Sequence, residues 1–250
     1  MKNKLAKKAT CIIPAYNESQ TIEDVIKTAL QTPEIGEVIV INDGSKDNTQ
    51  EIINRFKNQA KIIELKKNKG KGFAVVKGIK KSKYEYLLFL DADMINIKPY
   101  HLSSLIKPVL KDEVDMTLGP NVSLENPAIA FVLLPICGQR CLKKEFIIKS
   151  LTEIENSKYG IEVILNFIFR QERIAVVPLI SHKKLHKIKT EKQNDWFVSY
   201  IREAWHIIHT SLWKRRKSTI KNLEDVFLND LSKSLKISVE KVRRFVQEEI

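Results

Sequence analysis

Apolar and polar positions along the first half of the chain follow two different rhythms, and the changes between them mark its elements. Ala9 to Pro14, Glu37 to Ile41 (EVIVI) and Lys61 to Leu65 are apolar runs of strand length. Between them Ile22, Val25, Ile26, Ala29 and Leu30 recur at helical spacing, and Ile52, Ile53 and Phe56 do the same after Asp47. Thr21-Ile-Glu-Asp24 has the form of a capping box and predicts a helix start. Gly72 to Ser82 reads as a third helix, and Tyr84 to Leu90 (YEYLLFL) as a strand apolar enough to be buried on both faces. Alternation of this kind over residues 9–120 predicts βαβ units around a mostly parallel sheet flanked by helices, a Rossmann-like α/β fold.

In an open sheet of this class ligands sit beyond the carboxyl ends of the strands. Three polar clusters fall at those ends: Tyr16-Asn17-Glu18, Asn42-Asp43-Gly44-Ser45 and Asp91-Ala92-Asp93. The dinucleotide signature G-x-G-x-x-G is absent after the first strand, and so is the phosphate loop G-x-x-x-x-G-K-[ST]. Dehydrogenase and P-loop nucleotidase readings therefore lose their footing.

Composition narrows the class. With 43% hydrophobic and 29% charged residues, and only 8 Gly and 8 Pro in 250, the chain is neither fibrous nor wholly disordered. Its longest apolar runs fall short of the roughly 20 residues of a membrane span. The basic start MKNKLAKKAT passes directly into a strand without an apolar signal region, which predicts a cytoplasmic location. Cys11, Cys137 and Cys141 are odd in number and match no zinc-finger spacing, so they read as reduced, packed thiols. The net charge of +13 points to an anionic partner. From Ser181 onward sixteen Lys and Arg face nine Asp and Glu, with Trp196, Trp205, Trp213 and the run Lys214 to Lys217 in a predominantly helical stretch. This pattern predicts a basic helical extension over 191–250, suited to an anionic membrane face or to homodimer formation.

Two aspartates one residue apart at a strand end can present one carboxylate to a divalent cation and the other to a sugar hydroxyl or metal-bound water. Hard cations choose such oxygen ligands and also bridge diphosphate oxygens, so the pair suits departure of a diphosphate. The pair does not stand alone. Pro14-Ala-Tyr-Asn-Glu18, Val40-Ile-Asn-Asp43-Gly-Ser45, Asn68-Lys-Gly-Lys-Gly72 and Phe89-Leu-Asp-Ala-Asp93 follow in order, and together they resemble a family 2 glycosyltransferase of the GT-A fold. The resemblance continues through Cys137-Gly-Gln-Arg140, Tyr159-Gly-Ile-Glu162 and Pro178-Leu-Ile-Ser-His182 and covers roughly residues 8–190. The second half is most similar to enzymes related to glucosyl-3-phosphoglycerate synthase, and less so to polyprenyl-phosphate sugar synthases.

The resemblance implies that Pro14, Ala15, Tyr16 and Glu18 line the nucleotide pocket. It also implies that Asp43, with Ser45 nearby, accepts a hydrogen bond from an imide N–H of the base. Such an acceptor favours uracil or guanine, because an unmatched buried polar group costs about 1–3 kcal/mol. Gly70 and Gly72 would permit close backbone approach, and the Lys71 ammonium would neutralise diphosphate charge. Asp93 would hold Mg²⁺ or Mn²⁺ with His182 as a further ligand, while Asp91 and Ala92 support the donor sugar or the metal shell. Glu162, in the first turn of a helix opened by Tyr-Gly, would act as base or hold an acceptor hydroxyl; Arg140 would bind an anionic group or pair with an acid. The implied reaction moves a single hexose from a UDP-sugar, or a GDP-sugar, to a small phosphorylated or lipid-linked acceptor. The Q/R-x-x-R-W motif of processive relatives is absent. A basic membrane-surface or nucleic-acid binder on an inactive domain is the competing reading, against which Asp43, Asp91 and Asp93 argue; no nucleic-acid partner is expected.

Overall fold

The computed structural model describes residues 7–123, 137–157 and 160–181. The expected extension over 191–250, its tryptophans and basic run, together with Tyr159 and His182, lie outside the described residues.

Each apolar run becomes a strand and each periodic stretch a helix. In chain order these are β1 (Ala9–Ala15), α1 (Ile22–Gln31), β2 (Ile35–Asn42), α2 (Thr49–Asn54), β3 (Lys61–Glu64), α3 (Lys71–Lys81) and β4 (Tyr86–Phe89). The second half adds α4 (Pro99–Leu110), β5 (Met116–Leu118), β6 (Asn121–Ser123), β7 (Arg140–Lys143), α5 (Leu151–Asn156), α6 (Ile161–Ile168), β8 (Ile174–Val176) and β9 (Leu179–Ser181). Seven strands form one sheet in the order β3-β2-β1-β4-β7-β5-β8, and β6 pairs with β9 in a separate ribbon. From β3 to β4 all neighbours are parallel, whereas β7 runs antiparallel to both β4 and β5. The sheet is thus mostly parallel and mixed, with helices on both sides.

Alternation along each strand divides the core. Cys11, Ile13, Val38, Val40 and Leu88 face one side, where they join Val25, Ile26, Leu105 and Ile106 of α1 and α4. On the other face α3 lies so close that a Cβ at Gly78 would meet Ile12 Cγ2 at 2.6 Å. All three cysteines are buried and free, as expected. Cys11 and Cys141 both lie opposite Leu88, one on each neighbouring strand.

The capping box is not realised. Thr21 precedes α1 without any side-chain cap, and its hydroxyl faces the Glu18 carbonyl at 3.4 Å. The backbone amides of Thr21 and Ile22 bond to that same carbonyl, so the turn before the helix is closed by the main chain of Glu18. Strand β4 is shorter than its apolar run; just ahead of it the Glu85 carbonyl accepts the amide of Lys144.

Strand order places the working edge. The chain runs outward from β1 to β3, then returns to set β4 on the other side of β1, so connections leave β1 and β4 in opposite directions. A crevice opens at such a switch point. The amide of Leu90 bonds to the Ile12 carbonyl, which brings the end of β4 beside Pro14.

Candidate active site

The loops after β1 and β2 are tied together by side chains. Asn17 adopts φ 58° and donates its amide to Ser45 Oγ at 3.0 Å, while its own Oδ1 accepts the Lys46 amide at 2.8 Å. Ser45 in turn donates to Asn42 Oδ1 at 2.6 Å, and the Glu18 amide bonds to Thr49 Oγ1 at 2.8 Å. Backbone-like bonds from short amide and hydroxyl side chains suit loops that have no ladder of their own. Ala15 and Glu18 are buried, whereas Tyr16 and Ser45 are half-exposed at the rim.

Asp43 is 4% exposed and accepts the amides of Lys69 and Gly70, each at 2.8 Å, one on each carboxylate oxygen. Burial pushes its pKa up, against the pull of those two amides. The β2 end thereby fixes the loop that opens α3. Gly70, at φ 96° and ψ 156°, stands in backbone space that a side chain disfavours and turns the chain into the helix. The expected close approach at Gly72 is made to protein: a Cβ there would meet the Ile154 carbonyl oxygen of α5 at 2.2 Å.

The first residue of α3 carries the central ion pairs. Lys71 Nζ lies 2.7 Å from Asp91 Oδ1 and 2.8 Å from Glu162 Oε1. Burial works against the ammonium, but the two carboxylates outweigh it and raise its pKa above the ordinary lysine value. Glu162 is 8% exposed in the first turn of α6, which Gly160 opens, so the sequence placed this carboxylate correctly. Its partner is Lys71.

Asp91 is held from the other side by the segment that enters β7. Gln139 Nε2 donates to Asp91 Oδ2 at 2.7 Å, and a Cβ on Gly138 would sit 2.2 Å from that oxygen. Arg140 is fully buried; its Nε donates to the Cys137 carbonyl at 2.6 Å and its Nη1 to Asn166 Oδ1 at 2.7 Å. Burial lowers the guanidinium's pKa, offset in part by Cys137, Glu162 and Asp91. With Pro14, Lys71, Val75, Asp91 and Glu162 it lines a narrow cavity at the switch point. Burial also pushes the Cys137 thiol up to about 11. Ala92 is buried beneath the turn, and Asp93 is half-exposed within it.

Sequence reasoning named Asp91, Lys71 and Glu162 separately but not their mutual contacts. It missed Gly138 and Gln139 as the seat of Asp91 and Asn42 with Asn17 as the loop tie. Among the described residues no group of three or more His, Cys, Asp or Glu side chains converges. Asp91 and Asp93 nonetheless offer the hard oxygen donors that a divalent cation selects.

Residues 10–126 match the description Glycosyl transferase family 2. The chain carries a family 2 glycosyltransferase domain. Over 88 residues, 34% of this chain, it is 46% identical to poly-beta-1,6-N-acetyl-D-glucosamine synthase of Staphylococcus epidermidis, and over 98 residues, 37% of the chain, 43% identical to the synthase of Staphylococcus aureus. Those matches cover 21% and 24% of the relatives, so the chain spans about a fifth to a quarter of their length. The glycosyltransferase fold is similar to crystal structures of glucosyl-3-phosphoglycerate synthase from Mycobacterium tuberculosis. One of these, in complex with Mn²⁺, UDP and phosphoglyceric acid, superposes with a TM-score of 0.61 at 22% identity, over 82% of this chain and 78% of that one. Another holds Mn²⁺ and UDP-glucose, with the same score and coverage. The domain has the GT-A fold.

Proposed function

We propose that this domain transfers a single hexose from a UDP-sugar to a small phosphorylated or lipid-linked acceptor with the help of Mg²⁺ or Mn²⁺. The observation that carries the reading is the seating of Asp91 at the switch point, between Lys71 on one side and Gln139 on the other. In transfer, the bond from the anomeric carbon to the diphosphate oxygen breaks and its electron pair leaves with the diphosphate. An acceptor oxygen bonds to the carbon and gives up its proton. Asp93, with His182, would hold the cation, which supplies charge to the leaving diphosphate. Glu162, which shares Lys71 with Asp91, would orient or deprotonate the acceptor hydroxyl. Lys71 bridges the Asp91 and Glu162 carboxylates and would share its ammonium with a diphosphate oxygen. Asp43 remains the base reader: a carboxylate oxygen has room for a second donor beyond the one amide it already accepts.

Two findings support the phosphorylated acceptor and the metal: the fold's likeness to a synthase crystallised with Mn²⁺, UDP and phosphoglyceric acid, and the oxygen donors at the end of β4. A second donor reading has its own support in the 46% identity to a poly-N-acetylglucosamine synthase. A panel of UDP- and GDP-linked glucose, N-acetylglucosamine and mannose, with Mn²⁺ or Mg²⁺ and scored by nucleoside diphosphate release, separates them. Mass spectrometry of the product then distinguishes one added sugar from a chain. No metal-dependent release with any donor would overturn the proposal. The tail from residue 191 stays assigned to an anionic membrane face or a dimer contact; among the described residues no helix is long and apolar enough to cross a membrane.

A further inference from the structure

The basic character of the chain is concentrated in a second place besides the tail. Between Lys57 and Lys83 stand ten lysines, no arginine and one acid, Glu64. That stretch alone carries a net charge of +9, against +13 for the whole chain. The fold spreads it along one side. Lys66, Lys67 and Lys69 are exposed on the loop that enters α3, Lys77 emerges midway along the helix, and Lys81 ends it. Eleven residues of helix make a stripe about 16 Å long.

Three of the ten are neutralised: Lys61 by Glu37, Lys80 by Glu155 and Lys71 by the site carboxylates. Lys66, Lys67, Lys69, Lys77 and Lys81 have no ion-pair partner among the described residues. An ordinary solvated helix face mixes signs and gains from acid–base pairs one turn apart. No acid occurs in α3. At its centre the half-buried Phe73 ring lies beneath two ammonium groups, Lys69 at 4.4 Å and Lys77 at 4.8 Å from the centroid.

We infer that this face of α3, with the loop before it, docks the domain on an anionic lipid surface. The charge is diffuse and entirely lysine, point charges suited to mobile headgroups; recognition of nucleic acid favours the planar fork of arginine. The stripe is a ridge with one aromatic ring set among cations, which fits an interface that is charged outside and apolar a few ångströms below. Lys69 and Gly70 also carry the amides held by Asp43, so a bilayer meeting this ridge would lie at the rim of the nucleotide site. The inference holds whichever donor the site takes.

The test is co-sedimentation of the full chain with vesicles of phosphatidylcholine alone or mixed with phosphatidylglycerol. The wild type should pellet only with the mixed vesicles, and raised salt should release it. Lys66→Gln, Lys67→Gln, Lys77→Gln and Lys81→Gln combined should lower the partition coefficient at least about tenfold, since each lysine near an anionic surface contributes substantially. Its melting temperature should stay at the wild-type value. Replacing Lys214 to Lys217 by Gln measures the tail's own share of the partition separately. Wild-type pelleting retained by the α3 variant, loss confined to the tail variant, equal pelleting on neutral vesicles, or capture of single-stranded RNA without vesicle binding would each overturn the proposal.

Discussion

Two residues ahead of β7 decide where Asp91 stands. Gly138 leaves the space its carboxylate fills, and Gln139 holds one oxygen. Gly138→Ala must displace the carboxylate or the start of β7, because the new Cβ would be 2.2 Å from Oδ2. We expect nucleoside diphosphate release to fall at least about 100-fold, since misplacing a reacting group by an ångström has that effect, with a modest drop in melting temperature. Normal turnover would show that Asp91 need not be held. Lys71→Gln removes the cation shared by two carboxylates and should cost about 1–3 kcal/mol in urea unfolding; the full cost of a broken buried pair is discounted because the groups are partly solvated. These contacts were not legible in the sequence, because they join positions 48 and 91 residues apart. Only the residue types were visible: paired acids at a strand end, and a glycine followed by a polar residue with no repeat to explain it. Capping failed as a guide for a similar reason, as the Thr21 hydroxyl faces the Glu18 carbonyl and caps no helix amide.

At the scale of elements, the first four strands and three helices could be read because each is long enough to show its period and its apolar run is unbroken. Strands β5, β6, β8 and β9 have three residues each, too few to display an alternation, and the antiparallel direction of β7 leaves no mark in composition. This short-stranded half also carries a buried ion-pair network. Asp115, 4% exposed ahead of β5, accepts from Arg173 Nε and Nη2 at 2.9 Å each and from Lys143 Nζ at 2.9 Å, linking β5, β7 and the approach to β8. Hydrogen bonding to Arg173 leads in holding its carboxyl well below the usual range; burial opposes and Lys143 assists. A carboxylate with a depressed folded pKa stabilises above the unfolded value, about 3.9, and loses that contribution as pH falls through the folded value. Asp115→Asn should therefore lower stability by about 2 kcal/mol at pH 7. The gap between wild type and variant should narrow below about pH 4, followed by urea midpoints across that range. A gap that stayed constant down to pH 2 would mean that Asp115 acts through packing alone.

For the whole molecule the arrangement gathers Asp43, Lys71, Asp91, Asp93 and Glu162 at one edge of the sheet, and metal dependence is the property that should follow from it. Asp93→Asn should abolish transfer and weaken nucleotide binding in Mn²⁺ while leaving nucleotide binding in EDTA unchanged, measured by calorimetry with UDP. Near-normal turnover of the variant with EDTA present would remove Asp93 from the cation. The three buried thiols offer a different view of the same molecule, as built-in clocks for its opening. Cys11 and Cys141 lie across the middle of the sheet, and burial raises both thiols far above the ordinary range, while Cys137 beside Asp91 is raised to about 11. A thiol reagent can reach the central pair only when β1, β4 and β7 part, but needs only a loosening of the segment before β7 to reach Cys137. Labelling at one site should then run ahead of the other two, and saturating nucleotide should slow the fast phase alone.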